Sequence, residues 1–182
     1  ATATALSANV AAVTANSSSS LDLSVTGNVN YTGAVSASKA TSVTVTNTGA
    51  AQSGMKISAA KAETASITTD KNLTLSDGNT TLTGAKTVTI DTAGAFVQDD
   101  AGATDTEGFT AAQTMTLSGA GSKASATFDS LVGADDLAYS MTINASGLKA
   151  GLTFANDVDA GSGSLTVDAS GVTGAVDMSK MD

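Results

Sequence analysis

Met141-Thr142-Ile143-Asn144-Ala145-Ser146-Gly147 and Leu165-Thr166-Val167-Asp168-Ala169-Ser170-Gly171 read alike, position by position, 24 residues apart. In each, apolar residues alternate with polar ones and the run closes on glycine. Alternation with a period of two is the pattern of a strand with one buried face. The likeness continues past the glycine, because Gly147-Leu148 and Leu152 are answered by Gly171-Val172 and Val176. Each repeat therefore carries two strands joined at a glycine corner.

The same frame recurs upstream as Val43-Thr44-Val45-Thr46, Val88-Thr89-Ile90-Asp91 and Met115-Thr116-Leu117-Ser118, each followed by glycine. Looser copies are Leu23-Ser24-Val25-Thr26-Gly27 and Ala65-Ser66-Ile67-Thr68. The first apolar positions are 23, 43, 65, 88, 115, 141 and 165, so the steps are 20, 22, 23, 27, 26 and 24 residues. Steps of that size are single turns of a solenoid. The predicted fold is all-β, a right-handed parallel β-helix with rungs of 20–27 residues. Seven rungs about 4.8 Å apart would make a rod on the order of 30 Å long. A rung cannot bury its own inner face, so neighbours supply the stability and the ends must be capped or continued.

Composition agrees with a thin rod. The chain of 182 residues has no Pro, Cys, Trp or His, with four Phe and two Tyr as its large aromatic volume. A compact globule needs bulky side chains at its centre, whereas a narrow solenoid is filled by short and β-branched ones. The reading is a single solenoid segment over residues 1–182, with residues 1–20 as the expected cap and residues 98–112 as an acidic loop insertion. Ala5 to Val13 reads equally as a helix, a first strand or a cap. Ending at Met181-Asp182, half a rung after a good repeat, the chain is expected to be part of something longer.

Charge is unevenly divided. Residues 1–90 hold five Lys and four acids, a balance of +1; residues 91–182 hold three Lys and thirteen acids, a balance of −10. With no Arg and few Lys, nucleic acid is not an expected partner. No run approaches the roughly 20 apolar residues a transmembrane helix requires, so no membrane span is expected. Ala1 to Asn16 lacks the basic start of a signal peptide. Catalysis has little to draw on without His or Cys, so the chain is not expected to be an enzyme.

Two segments are candidate calcium sites. Asp99, Asp100, Asp105 and Glu107 lie within nine residues, with Gly102 and Gly108 for tight turns. Calcium accepts six to eight oxygens at about 2.3–2.6 Å, and such a loop can supply several. Asp157 and Asp159, and the pair Asp135-Asp136, are weaker versions of the same arrangement. The bland alternative for all of them is a solvated acidic turn, where Asp bonds nearby backbone N–H groups. Asp91, Asn144 and Asp168 close strands at equivalent positions and read as Asx-type corners. The outward residues Thr44, Thr89, Thr116, Thr142 and Thr166 form one ladder that invites an ice-binding reading. Its neighbour reads Thr46, Asp91, Ser118, Asn144 and Asp168, and those mixed acids argue against it.

The repeats resemble the β-solenoid regions of RTX-type S-layer proteins and related surface adhesins of Gram-negative bacteria. The resemblance rests on the Thr-Ile-Asn-Ala-Ser-Gly-Leu and Thr-Val-Asp-Ala-Ser-Gly-Val stretches ending at residues 148 and 172, and on the Ala/Thr/Gly-rich composition. It implies a secreted, cell-surface structural protein that self-assembles into a lattice, bound through lipopolysaccharide or another surface glycan and ordered by calcium. The family's GGxGxDxUx nonapeptide is absent: the nearest string, Gly161-Ser162-Gly163-Ser164-Leu165, lacks the adjacent glycine and the aspartate. That departure counts against calcium binding of the β-roll type. Two other readings stand behind the lattice, an adhesin stalk or passenger segment and a polysaccharide-active β-helix enzyme.

Overall fold

The computed structural model describes residues 2–7, 12–76, 80–99, 109–129, 140–155 and 163–181, and every regular element among them is a strand. In chain order they come in pairs. The first four pairs are β1 (Thr2–Leu6) with β2 (Ala12–Thr14), β3 (Ser20–Val25) with β4 (Ala34–Ser36), β5 (Ser42–Asn47) with β6 (Gln52–Ser58), and β7 (Thr64–Thr69) with β8 (Leu73–Leu75). Then come β9 (Thr87–Thr92) with β10 (Ala95–Gln98), β11 (Thr114–Gly119) with β12 (Ser125–Phe128), β13 (Met141–Leu148) with β14 (Gly151–Phe154), and β15 (Leu165–Asp168) with β16 (Val176–Asp177). Odd strands form one eight-stranded sheet and even strands another, each in sequential order and with every pairing parallel. This is a parallel β-solenoid, the architecture the repeat predicts. Among the described residues no helix is long and apolar enough to cross a membrane.

The strands β5, β7, β9 and β11 alternate buried and outward residues, and the buried ones stack coil on coil. In the first sheet Leu21, Val43, Ala65, Val88, Met115 and Ile143 make one inner column, every member at most 2% exposed. In the second sheet Phe96, Phe128 and Phe154 stack with ring centroids 5.9 and 6.0 Å apart. Three of the four phenylalanines thus fill one stretch of the core. The fourth, Phe109, is buried with Ala112 in the turn that leads into β11.

The register differs from the sequence reading at two places. Leu21, not Leu23, pairs with Val43, and Met115 pairs with Ile143, not Met141. A slip of two residues leaves every side chain on its own face, so alternation cannot detect it. The second slip ends in a bulge, where Ser118 pairs with Gly147 after Thr116 has paired with Asn144. Pairing offsets in the first sheet therefore run from 19 residues, Thr2 to Leu21, to 29, Ser118 to Gly147, and in the second sheet they reach 30, Phe96 to Ala126. Of Ala5 to Val13, Ala5 and Leu6 belong to β1 and Ala12 and Val13 to β2, while residues 8–11 lie outside the described residues.

Polar groups inside the rod are placed where the chain turns. Asn47, Thr69 and Thr92 follow one another up the inner face at the end of β5, β7 and β9, all at most 2% exposed. Each side chain donates to a corner carbonyl: Asn47 Nδ2 to Ala50 O (3.1 Å), Thr69 Oγ1 to Lys71 O (2.8 Å) and Thr92 Oγ1 to Gly94 O (2.9 Å). A buried carbonyl without a partner costs about 1–3 kcal/mol, so this column stabilises successive corners. Gln52 does the same between coils, donating to Val29 O (3.0 Å) and accepting from the Tyr31 N–H (2.7 Å). Beyond Gln52, β6 bends at Gly54, whose φ of 118° disfavours a side chain. The first half of β6 pairs with β8 and the second half with β4.

Candidate functional site

The outer surface of the first sheet is built from the residues that alternate with the core. One column runs Ser20, Ser42, Thr64, Thr87, Thr114, Thr142, Thr166, a hydroxyl on every strand from β3 to β15. The column beside it runs Asp22, Thr44, Ser66, Thr89, Thr116, Asn144, Asp168. From β5 to β11 the two columns contain only Ser and Thr. This corrects the sequence reading, which set Thr142 and Thr166 in line with Thr116 and missed the first column. Its signal was present: Ser42, Thr64, Thr87 and Thr114 each immediately precede the apolar residue that opens a repeat.

The acidic candidates divide differently. Of the calcium set, Asp99 is described: it is half-buried just past β10, with its N–H donating to Leu75 O (3.0 Å). Asp100, Asp105, Glu107, Asp157 and Asp159 lie outside the described residues, as do Asp135 and Asp136. Among the described residues no three acidic side chains converge in a way that could hold a metal ion. A shallow cleft of about 280 Å³ lies where Asp70 and Asp91 meet Gly119 and Gly121, at the ends of β7, β9 and β11. Asp91 there accepts a hydrogen bond from Ser118 Oγ (2.8 Å).

The corner reading holds for Asp168, which ends β15; Asn144 makes the same local bond inside β13, which runs on past the bulge to Leu148, and Asp91 bonds Ser118 of the next coil instead. Asn144 Oδ1 accepts from Ser146 N (3.1 Å) and Ser146 Oγ (2.7 Å), and Asp168 Oδ1 accepts from Ser170 N (3.0 Å). Asp177 repeats the device with Ser179 N (3.0 Å). The Ser170 side chain and then its backbone N–H hold the Asp168 carboxyl below the ordinary carboxylate range. At Asp177 the Ser179 backbone N–H leads, followed by its side chain and the Lys180 charge. Burial pushes the Tyr31 phenol up.

A depressed folded-state pKa gives stability that is fully present above the ordinary carboxylate pKa and is lost as pH falls through the depressed value. Acidification through that window is expected to loosen the last two corners first, read as faster hydrogen exchange at the Ser170 and Ser179 amides. Asp168→Asn, which still accepts a hydrogen bond, should abolish the acid response at Ser170 alone. Unchanged acid sensitivity at Ser170 in that variant would refute the assignment.

No protein-family model matches the chain, and no curated protein and no solved structure matches it.

Proposed function

We propose that this chain is the structural rod of a secreted bacterial cell-surface protein that assembles with itself into an S-layer-type lattice, ordered by calcium and anchored to a surface glycan such as lipopolysaccharide. The observation that supports this reading is how many acids the sequence of the connections carries between coils that the structure stacks. The connections from β10 to β11, β12 to β13 and β14 to β15 all lead from the second sheet back to the first. Their starts are stacked, with Asp129 N donating to Gln98 O (3.0 Å) and Ala155 N to Phe128 O (2.9 Å). Residues 99–113, 129–140 and 155–164 together carry nine of the thirteen acids of the second half and no Lys. Of these acids Asp99 and Asp129 are described, at the starts of the first two connections. Connections this acidic in sequence repel identical ones until a divalent cation neutralises them, which is the behaviour of a calcium-switched contact.

The purified protein is expected to form ordered sheets in millimolar calcium, seen by negative-stain microscopy, and to return to elongated particles with chelator. Neutralising Asp99, Asp100, Asp105 and Glu107 to Asn or Gln removes both the repulsion and the candidate ligands, so assembly should lose much of its dependence on calcium. Extended monomers with and without calcium would overturn the lattice reading in favour of an adhesin stalk.

A further inference from the structure

We infer that the outer face of the first sheet binds ice. The physical basis is the two-column array Ser42/Thr44, Thr64/Ser66, Thr87/Thr89 and Thr114/Thr116, which occupies four successive strands in unbroken register. Seven of the eight are exposed and Ser42 is half-buried. Strand spacing sets the columns' repeat at about 4.8 Å, and two residues of strand rise set the gap between them at about 6.6 Å. The result is a two-dimensional grid of hydroxyls with a repeat of a few ångströms in each direction. An ice surface presents water oxygens on a grid of the same scale.

Three properties of these side chains favour ordered water over a protein or an ion. Each hydroxyl can both donate and accept, as a lattice water requires of its neighbours. None of the eight is charged; along the rod the array stops where Asp22 and Asn144 enter the second column, and across the sheet it stops at the next outward column, Thr46, Thr68, Asp91 and Ser118, where Asp91 brings a charge. Six of the eight are Thr, whose branched Cβ restricts χ1 and presents a methyl beside each hydroxyl, so little rotamer freedom is lost on binding. The backbone beneath is held by parallel ladders on both sides of every one of these strands, so the spacing is fixed before the ligand arrives.

The second sheet supplies an internal contrast. Its outward column Ser53, Thr74, Val97, Thr127, Thr153 is interrupted by Val97. The adjacent outward positions there are Ala95, Ser125 and Gly151, so no two-column hydroxyl grid forms.

Purified protein is expected to suppress ice recrystallisation and to shape single ice crystals in a nanolitre osmometer. The double substitution Thr87→Lys/Thr89→Lys, at the centre of the grid, should raise the concentration needed by an order of magnitude. Thr74→Lys/Thr153→Lys on the other sheet should leave it unchanged, with circular dichroism confirming both folds. A wild-type protein without effect on ice overturns the proposal, and so does a folded grid variant that retains full potency. Co-sedimentation of an ice-inactive protein with microcrystalline cellulose or chitin, lost in the grid variant, would assign the face to a glycan instead and likewise overturn it.

Discussion

Replacing Phe128 with Ala should cost the rod about 3–5 kcal/mol, the usual range for deleting a buried phenyl ring. Phe128 is 1% exposed and stands between Phe96 and Phe154, so its removal breaks both ring contacts at once. The inner neighbours cannot close the gap, because Ala126 beside it on β12 is small and the backbone is held by β10 and β14. In a solenoid each coil contacts only its neighbours, so the damage should be local. Hydrogen exchange should accelerate in β10, β12 and β14 while β3 and β5 keep their protection. A loss below about 1 kcal/mol in chemical denaturation would mean that the phenyl stack is not a main source of core stability.

Gly119→Ala is expected to be comparably damaging for the opposite reason, too much volume. A Cβ at Gly119 would lie 2.1 Å from Thr92 O and 2.6 Å from Ala124 Cβ, both on neighbouring backbone or its stub. Neither can move without displacing the β9–β11 ladder or the turn into β12, so the cost is on the order of 3 kcal/mol. Two residues on, a Cβ at Gly121 would meet Ala93 O at 3.2 Å, a contact relieved by a small shift. Gly121→Ala should therefore be nearly silent. Equal melting temperatures for the two variants would show that the corner yields where the close approach says it cannot.

Both predictions rest on stacking, and it is in stacking that sequence and structure part company. The inner positions were legible because burial forces alternation: Val43 and Val45, Val88 and Ile90, and Leu165 and Val167 face inward in the sequence reading and in the structure. The local Asx-type bonds were legible too, since Asn144 and Asp168 satisfy the N–H groups two residues on without help from other coils, but that Asn144 sits inside a strand and Asp91 turns to Ser118 of the next coil was not. The phenylalanine stack was not, because Phe96, Phe128 and Phe154 fall outside the repeated frame and are brought together by the second sheet. Nor was the hydroxyl grid, since an outward residue has no packing constraint that marks its partner on the next coil.

By itself, then, the sequence determined that the chain coils into a parallel β-solenoid, which residues face its interior, and that its acids gather in the second half. Each of these follows from interactions within one strand, one turn or the bare composition. Only the tertiary structure decided the register: that Leu21 meets Val43, that Met115 meets Ile143, and that Thr87 and Thr89 sit flush with Thr114 and Thr116. A two-residue slip preserves inside and outside, so alternation leaves it free. What selects one register is the fit between coils, from the buried phenylalanines to the bulge at Gly147, and that fit exists only once the coils are stacked.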